Sequence, residues 1–312
     1  EVPQVTADVA GERSKFLSMQ SLSKCKSGDS KVINDLEAFV DDYVAWIRQR
    51  KKESDGLEEV EKPPAERIIE RMDLAVERMQ TGIEILRTNN EAAKAFAFAN
   101  KAMLDQMVQF DACNGRERNN SDYRWRPFQL AFLLMVIESS VNQDSEFRDI
   151  VDLIWFPTGG GKTEAYLGLI AFVISYRRFT HPSSGGGTTV LMRYTLRLLT
   201  SQQFIRATRI ICALELIRQK TPALGKEPIT IGMWVGGASS PNHYKVAKEA
   251  VDEAMHKEDP VPHSLVLKEC PWCNTPFKAA DNYVATEQSF HFQCTNTSCE
   301  YGHPNADPLP CN

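Results

Sequence analysis

No stretch of this 312-residue chain stays apolar long enough to cross a bilayer. The longest such run, Ala165 to Tyr176, falls short of the roughly 20 residues a spanning helix needs. It reads instead as a central core helix, and no membrane partner is expected. A signal peptide is also missing, so a cytoplasmic location is the expectation. The first residue is Glu1 rather than Met, so a fragment or trimmed chain is expected. Positive charge is not in excess: Lys and Arg number 36 against 41 Asp and Glu, a net charge of −5. That argues against a wholly basic nucleic-acid coat protein, but says little about a local groove. The eight cysteines lack the spread of a disulfide scaffold. Four of them gather late at metal-ligand spacing, which favours zinc in a reducing compartment. Apolar content of 42 % is ordinary for a folded protein, and the length suggests about two domains.

What is present centres on Val151 to Leu169. Val151 to Phe156 reads as a short buried strand. A glycine-rich turn follows, and Lys162-Thr163 open an apolar helix. Strand, loop and helix in that order are what a phosphate-binding loop requires. Gly159, Gly160 and Gly161 have no Cβ and let backbone N–H groups converge on phosphate oxygens. The helix N-terminus adds its dipole. Lys162 would reach the β- and γ-phosphates of ATP, and the Thr163 hydroxyl would ligate Mg²⁺, within a binding stretch from Thr158 to Glu164. The general pattern G-x-x-x-x-G-K-[ST] is not strictly met, because Phe156 stands at its first glycine. A plain glycine turn before a buried helix is the competing reading.

Residues 1–31 are polar and weakly patterned, and are expected to be irregular. From Val32 a stripe of Leu36, Phe39, Val40, Tyr43, Val44 and Ile47 has helical spacing. Residues 51–64 read as a solvated linker ending in Pro63-Pro64. Two more helices are expected over about 65–87 and 90–112, so residues 32–122 form a helical domain. Beyond it, a helix to about Val141 precedes the phosphate loop. Strands at Thr188–Met192 and Ile229–Val235, with a helix from Leu196 to Lys220 between them, give the rhythm of a parallel α/β sheet. Arg193, Arg197, Arg206, Arg209, Arg218 and Lys220 against Glu215 make this stretch locally basic. Gln202, Arg206 and Arg209 share a helix face, as a phosphodiester contact would want. A solvated amphipathic helix is the alternative.

Cys270-Pro-Trp-Cys273 and Cys294-Thr-Asn-Thr-Ser-Cys299 supply four thiolates for a structural tetrahedral Zn²⁺. The residues between them suit a short hairpin, as in a zinc ribbon. His291, His303 and Cys311 are spare candidates, and two disulfides are the alternative.

Together these pieces resemble the first RecA-like lobe of a superfamily-two helicase. More narrowly, Arg78 to Leu86, Ala95 to Met103, Trp125 to Gln129, Trp155 to Leu169 and Leu191 to Gln203 resemble the large-helicase family of the DISARM anti-phage defence system. The resemblance covers roughly residues 32–300. It implies ATP-driven movement on DNA and a DrmB-like partner protein. It implies that Gln129 reads adenine, with Arg126 nearby and Trp125 or Tyr123 as stackers; a glutamine that merely caps the helix start is the competing reading. It also places Arg193, Tyr194, Thr195, Arg197, Gln202, Arg206 and the pair Gly236-Gly237 against nucleic acid. No Asp-Glu-x-His follows the loop before residue 312, so the acid that holds Mg²⁺ is missing.

The resulting expectation is an α/β chain. Residues 1–31 are irregular and 32–122 form a helical domain. Residues 123–264 form a partial RecA-like parallel-sheet lobe without motif II, and 265–312 a zinc-ribbon-like element. It is read as the N-terminal part of an ATP-dependent helicase or translocase, inactive alone. The alternative is a zinc-stabilised nucleotide- or nucleic-acid-sensing module that does no motor work.

Overall fold

The computed structural model describes residues 16–155, 159–194, 197–236, 240–257, 261–262 and 264–311. The chain divides into two compact units: Glu1–Leu104 with Asn119–His181, and Asp105–Arg118 with Pro182–Asn312. Among the described residues the first is mostly helical, while the second combines helices with a hairpin and long irregular segments.

In the first unit a short helix α1 (Met19–Leu22) leads to α2 (Lys31–Ser54), α3 (Lys62–Thr88) and the start of α4 (Asn90–Cys113), then α5 (Pro127–Val141) and α6 (Lys162–Thr180). Ser30 caps α2 by accepting from the Ile33 amide. The linker expected over 51–64 is shorter than its composition suggests. Helix α2 runs on to Ser54, and Pro63-Pro64 fall in the first turn of α3, where a missing N–H costs nothing. Residues 16–25 are not idle: Leu17, Met19, Leu22 and Cys25 are buried, and Leu17 and Met19 exchange backbone bonds with Trp125 and Tyr123. Helix α5 packs against α3 and α6. Gly82 of α3 lies against the Leu134 carbonyl of α5, where a Cβ would have no room. Gly168 of α6 does the same against the Trp125 ring. The expected core helix is α6, with Ala165, Leu167, Ile170, Ala171, Phe172 and Ile174 all buried.

The second unit holds α7 (Arg197–Gln219), α8 (Tyr244–His256), a short α9 (Ala279–Asn282) and an antiparallel hairpin of β1 (Tyr283–Ala285) and β2 (Phe290–Phe292). Tyr283 pairs with Phe292 and Ala285 with Phe290. This is the hairpin expected between the two cysteine pairs.

The parallel sheet is where structure and expectation part. Among the described residues the hairpin is the only sheet. Val151–Trp155 and Thr188–Tyr194 run without strand pairing, and Ile229–Val235 contributes a single parallel bridge, Ile231 to Cys311. The reason is physical: a strand exists only through its neighbours, and these segments have none here. Val151, Leu153 and Trp155 are 91 %, 78 % and 90 % exposed, so the described part of this segment is not the buried strand expected.

Candidate functional site

The residues expected to form a phosphate loop lie in the first unit, as far as they are described. Gly161 is the N-cap of α6 with φ 88° and ψ 25°, the left-handed region that favours glycine. Gly159, at φ 80°, takes the same hand. Lys162, Thr163 and Glu164 are the first three residues of the helix, whose opening amides have no intrahelical acceptor. Thr158, with Phe156 and Pro157, lies outside the described residues.

Two side chains from the start of α5 hold the loop. Gln129 Nε2 donates to the Gly161 carbonyl at 2.7 Å, while its Oε1 accepts from the Arg126 amide at 2.7 Å. Arg126 Nη1 donates to the Gly160 carbonyl at 2.9 Å. Glutamine therefore both caps α5 and grips the loop, and it is buried. Tyr123 and Trp125, expected as stackers, are core residues. Trp125 is 2 % exposed and donates its indole N–H to Asn100 Oδ1, so neither ring has a face left for a base.

A residue pair that sequence reasoning missed enters here. Arg78, buried on α3, forks onto Asp152 with Nη1–Oδ1 at 2.6 Å and Nη2–Oδ2 at 2.8 Å. Its guanidinium also lies 4.6 Å from the Phe147 ring centre. The pair ties helix α3 to the segment entering the loop. Nothing in the sequence spacing of the two residues announces it.

The basic stretch belongs to the second unit and is less free than its composition suggests. Arg209 donates from Nε to the Pro271 carbonyl at 3.1 Å and lies 4.6 Å from the Phe110 ring centre. Burial lowers its pKa. Arg218 pairs with buried Glu215 and donates to the Gly225 carbonyl. Glu215 also accepts from the Ile229 amide at 2.8 Å. Both arginines are structural, and Arg209 leaves the face it was expected to share. Arg193 and Gln202 are exposed, Tyr194 and Arg206 half-buried. Gly236 is exposed with open space around it. Thr195 and Gly237 lie outside the described residues, as does the side chain of Arg197 at the start of α7.

The four expected cysteines do come together. The Sγ atoms of Cys270, Cys273, Cys294 and Cys299 all lie within 4.8 Å of one another. Cys273 and Cys294 are 3.6 Å apart, close to the roughly 3.8 Å edge of a tetrahedron with 2.3 Å zinc–sulfur bonds. Their turn is built for the purpose: Asn274 takes φ 58°, its amide reaches back to the Cys270 carbonyl, and the Cys270 amide donates to the Thr275 carbonyl. Thr275 Oγ1 at 3.1 Å and Asn296 Nδ2 at 3.8 Å contact Cys273 Sγ, as outer partners of a metal-bound sulfur do. Neighbouring thiols hold Cys273 below the usual thiol pKa. By contrast burial alone pushes Cys25 and Cys311 up to about 12, marking them as inert core thiols. His291, His303 and Cys311 take no part in the cluster. A buried all-sulfur set of this shape fits zinc.

No family model matches the chain. It is similar to DISARM protein DrmA. The match, to the protein of that name from Bacillus paralicheniformis, is 37 % identical over 302 residues. It takes in 86 % of this chain and 26 % of DrmA, so the chain spans about a quarter of that relative's length. The resemblance read from the motifs is thereby borne out over most of the chain. No described helix is long and apolar enough to cross a membrane.

Proposed function

We propose that this chain is the nucleotide-binding part of an ATP-dependent DNA translocase in a DISARM anti-phage system, working within a longer protein. The observation that carries the reading is Gly161. A left-handed glycine caps a long buried helix opening on Lys162-Thr163, and Gln129 and Arg126 hold the carbonyls beside it. A side chain at Gly161 would meet Gln129 Nε2 at 2.7 Å, so the loop is cradled around an absent Cβ. Both carbonyls are engaged by donors, and the N-terminus of the helix adds a dipole that favours an anion. Lys162 supplies a point charge for the terminal phosphates, and Thr163 a hydroxyl for Mg²⁺. Bound ATP supplies the free energy of phosphoanhydride hydrolysis. Gln129 retains one N–H and one lone pair for an adenine edge. Arg193, Gln202 and Arg206, with Tyr194, Thr195, Arg197 and Gly236-Gly237, are assigned to the DNA backbone.

The four-cysteine zinc site is structural in this reading, since four protein thiolates leave no open position for a substrate. The RecA-like sheet and the acidic motif II belong to the longer protein, in which 151–155, 188–194 and 229–235 find their strand partners. A DrmB-like protein is the proposed partner.

The test is Lys162→Ala in the full-length protein. DNA-stimulated ATP hydrolysis is expected to fall at least 100-fold, because the charge on the transferring phosphoryl group loses its partner. Unchanged turnover would sink the proposal. A second reading, a zinc-stabilised sensing module without motor action, is favoured by one fact: Arg209 and Arg218 are spent on structure. It predicts nucleotide binding without turnover in the full-length protein.

A further inference from the structure

Among the described residues, the distal parts of α2 and α3 form an arm that buries no side chain. From Arg48 to Glu77 no residue is buried, whereas the proximal parts of the same helices place Leu36, Val40, Ile83 and Leu86 in the core. Sixteen residues of α3, at 1.5 Å each, carry this stretch about 24 Å. The two helices of the arm hold each other by small means, including the Lys51–Asp73 ion pair at 2.8 Å. Yet the arm keeps apolar side chains in water. Val60 is 77 % exposed, and Leu57, Ile68 and Leu74 are exposed as well.

Scattered surface apolar residues are ordinary. Here they sit on an element that covers no core of its own, so stability within this chain does not explain them. Charge narrows the choice of occupant. The tip carries Glu53, Asp55, Glu58, Glu59 and Glu61 and no cation between them. Glu53 leans back on Arg50 and Glu59 on Lys62, while Asp55, Glu58 and Glu61 flank Leu57 and Val60 without a cationic partner in any ion pair the structure shows. Such a tip repels phosphodiester chains. We infer that the tip of the α2–α3 arm docks a partner protein that presents an apolar socket for Val60 and Leu57 within a basic rim.

The arm lies apart from the phosphate loop in sequence and chemistry, so this inference stands or falls independently of ATP binding. The experiment places p-benzoyl-phenylalanine at Val60 in the full-length protein, in the cells that make it. After irradiation the adduct is identified, and the cross-linked partner is purified for direct binding. The expected result is one protein adduct, joined at an apolar residue beside Lys or Arg. Affinity of the purified pair should fall at least tenfold with Val60→Glu, with the double reversal Glu58→Lys/Glu61→Lys, and on raising salt from 0.1 to about 0.5 M. Both variants replace exposed residues, so an unchanged melting curve and helical circular dichroism accompany the loss. Absence of an adduct, an adduct to a second copy or to nucleic acid, or unchanged affinity in the variants would overturn the inference.

Discussion

At the scale of single residues, Gly161 carries the most weight. Its φ of 88° is costly for any side chain, and a Cβ would also press on the Gln129 amide. Gly161→Ala is expected to cost about 1–3 kcal/mol of stability, the usual range for a strained left-handed residue. It should also weaken binding of a Mg²⁺–nucleotide analogue more than tenfold, because moving Gln129 frees the Gly161 carbonyl to turn towards the phosphates. Gly115, also left-handed at φ 66° but in open space, is the control: Gly115→Ala should carry the strain without the binding loss. Calorimetric titration of both variants checks this. Equal affinities would remove Gln129 from any part in shaping the loop.

At the scale of elements, the cysteine knuckle and α7 depend on one another. Arg209 donates to the knuckle's Pro271 carbonyl, Asn274 Oδ1 lies 3.4 Å from its Nη2, and Tyr301, two residues beyond the last ligand, donates to the Cys212 carbonyl of α7 at 2.7 Å. Arg209→Met keeps the stem but abandons a buried carbonyl, at a cost of about 1–3 kcal/mol. Zinc should then pass to a competing chelator at least tenfold faster, as second-sphere losses generally cause. An unchanged release rate would make the arginine a bystander. This pairing was not legible in the sequence, where Arg209 reads as one more cation on a basic face. What was legible has local causes. Helices α2, α3 and α6 extend three or four residues beyond the expected ends, since frayed ends carry no apolar stripe. Helical stripes nonetheless located α2 to α7, because a core-facing helix repeats its apolar positions within its own length. The two short-spaced cysteine pairs pointed to the four-thiol cluster for the same reason. The strands expected over 151–156 and 188–192 find no pairing among the described residues, since pairing is a property of two segments and no local pattern reveals whether the second is present. Likewise Trp125 looked like a stacker until Asn100 and Gly168 turned out to enclose it.

At the scale of the whole molecule, the two proposed ligands fall to different units. Arg126, Gln129 and Lys162 belong to the first, and the four cysteines to the second. Each unit has its own buried set: Ile33, Leu36, Ile83, Leu130 and Leu134 in one, Ile210, Leu214, Phe277 and Tyr301 in the other. Separate cores allow separate unfolding transitions. A ligand stabilises only the unit that binds it, by an amount set by its concentration over its dissociation constant. Metal does the same more strongly where the site closes a loop-rich segment with little other core. Scanning calorimetry of the 312-residue chain should therefore show two transitions. A Mg²⁺–nucleotide analogue at about 100 times its dissociation constant raises one of them, by the equivalent of about 2.7 kcal/mol. A zinc chelator lowers the other. Helix α4 contributes residues to both units and can therefore fuse the two transitions. The decisive outcome is therefore not their number but which probe moves which core. If chelator and nucleotide shift the same tryptophan signal, that of Trp125 in one unit or Trp272 in the other, the assignment of the two sites to separate units fails.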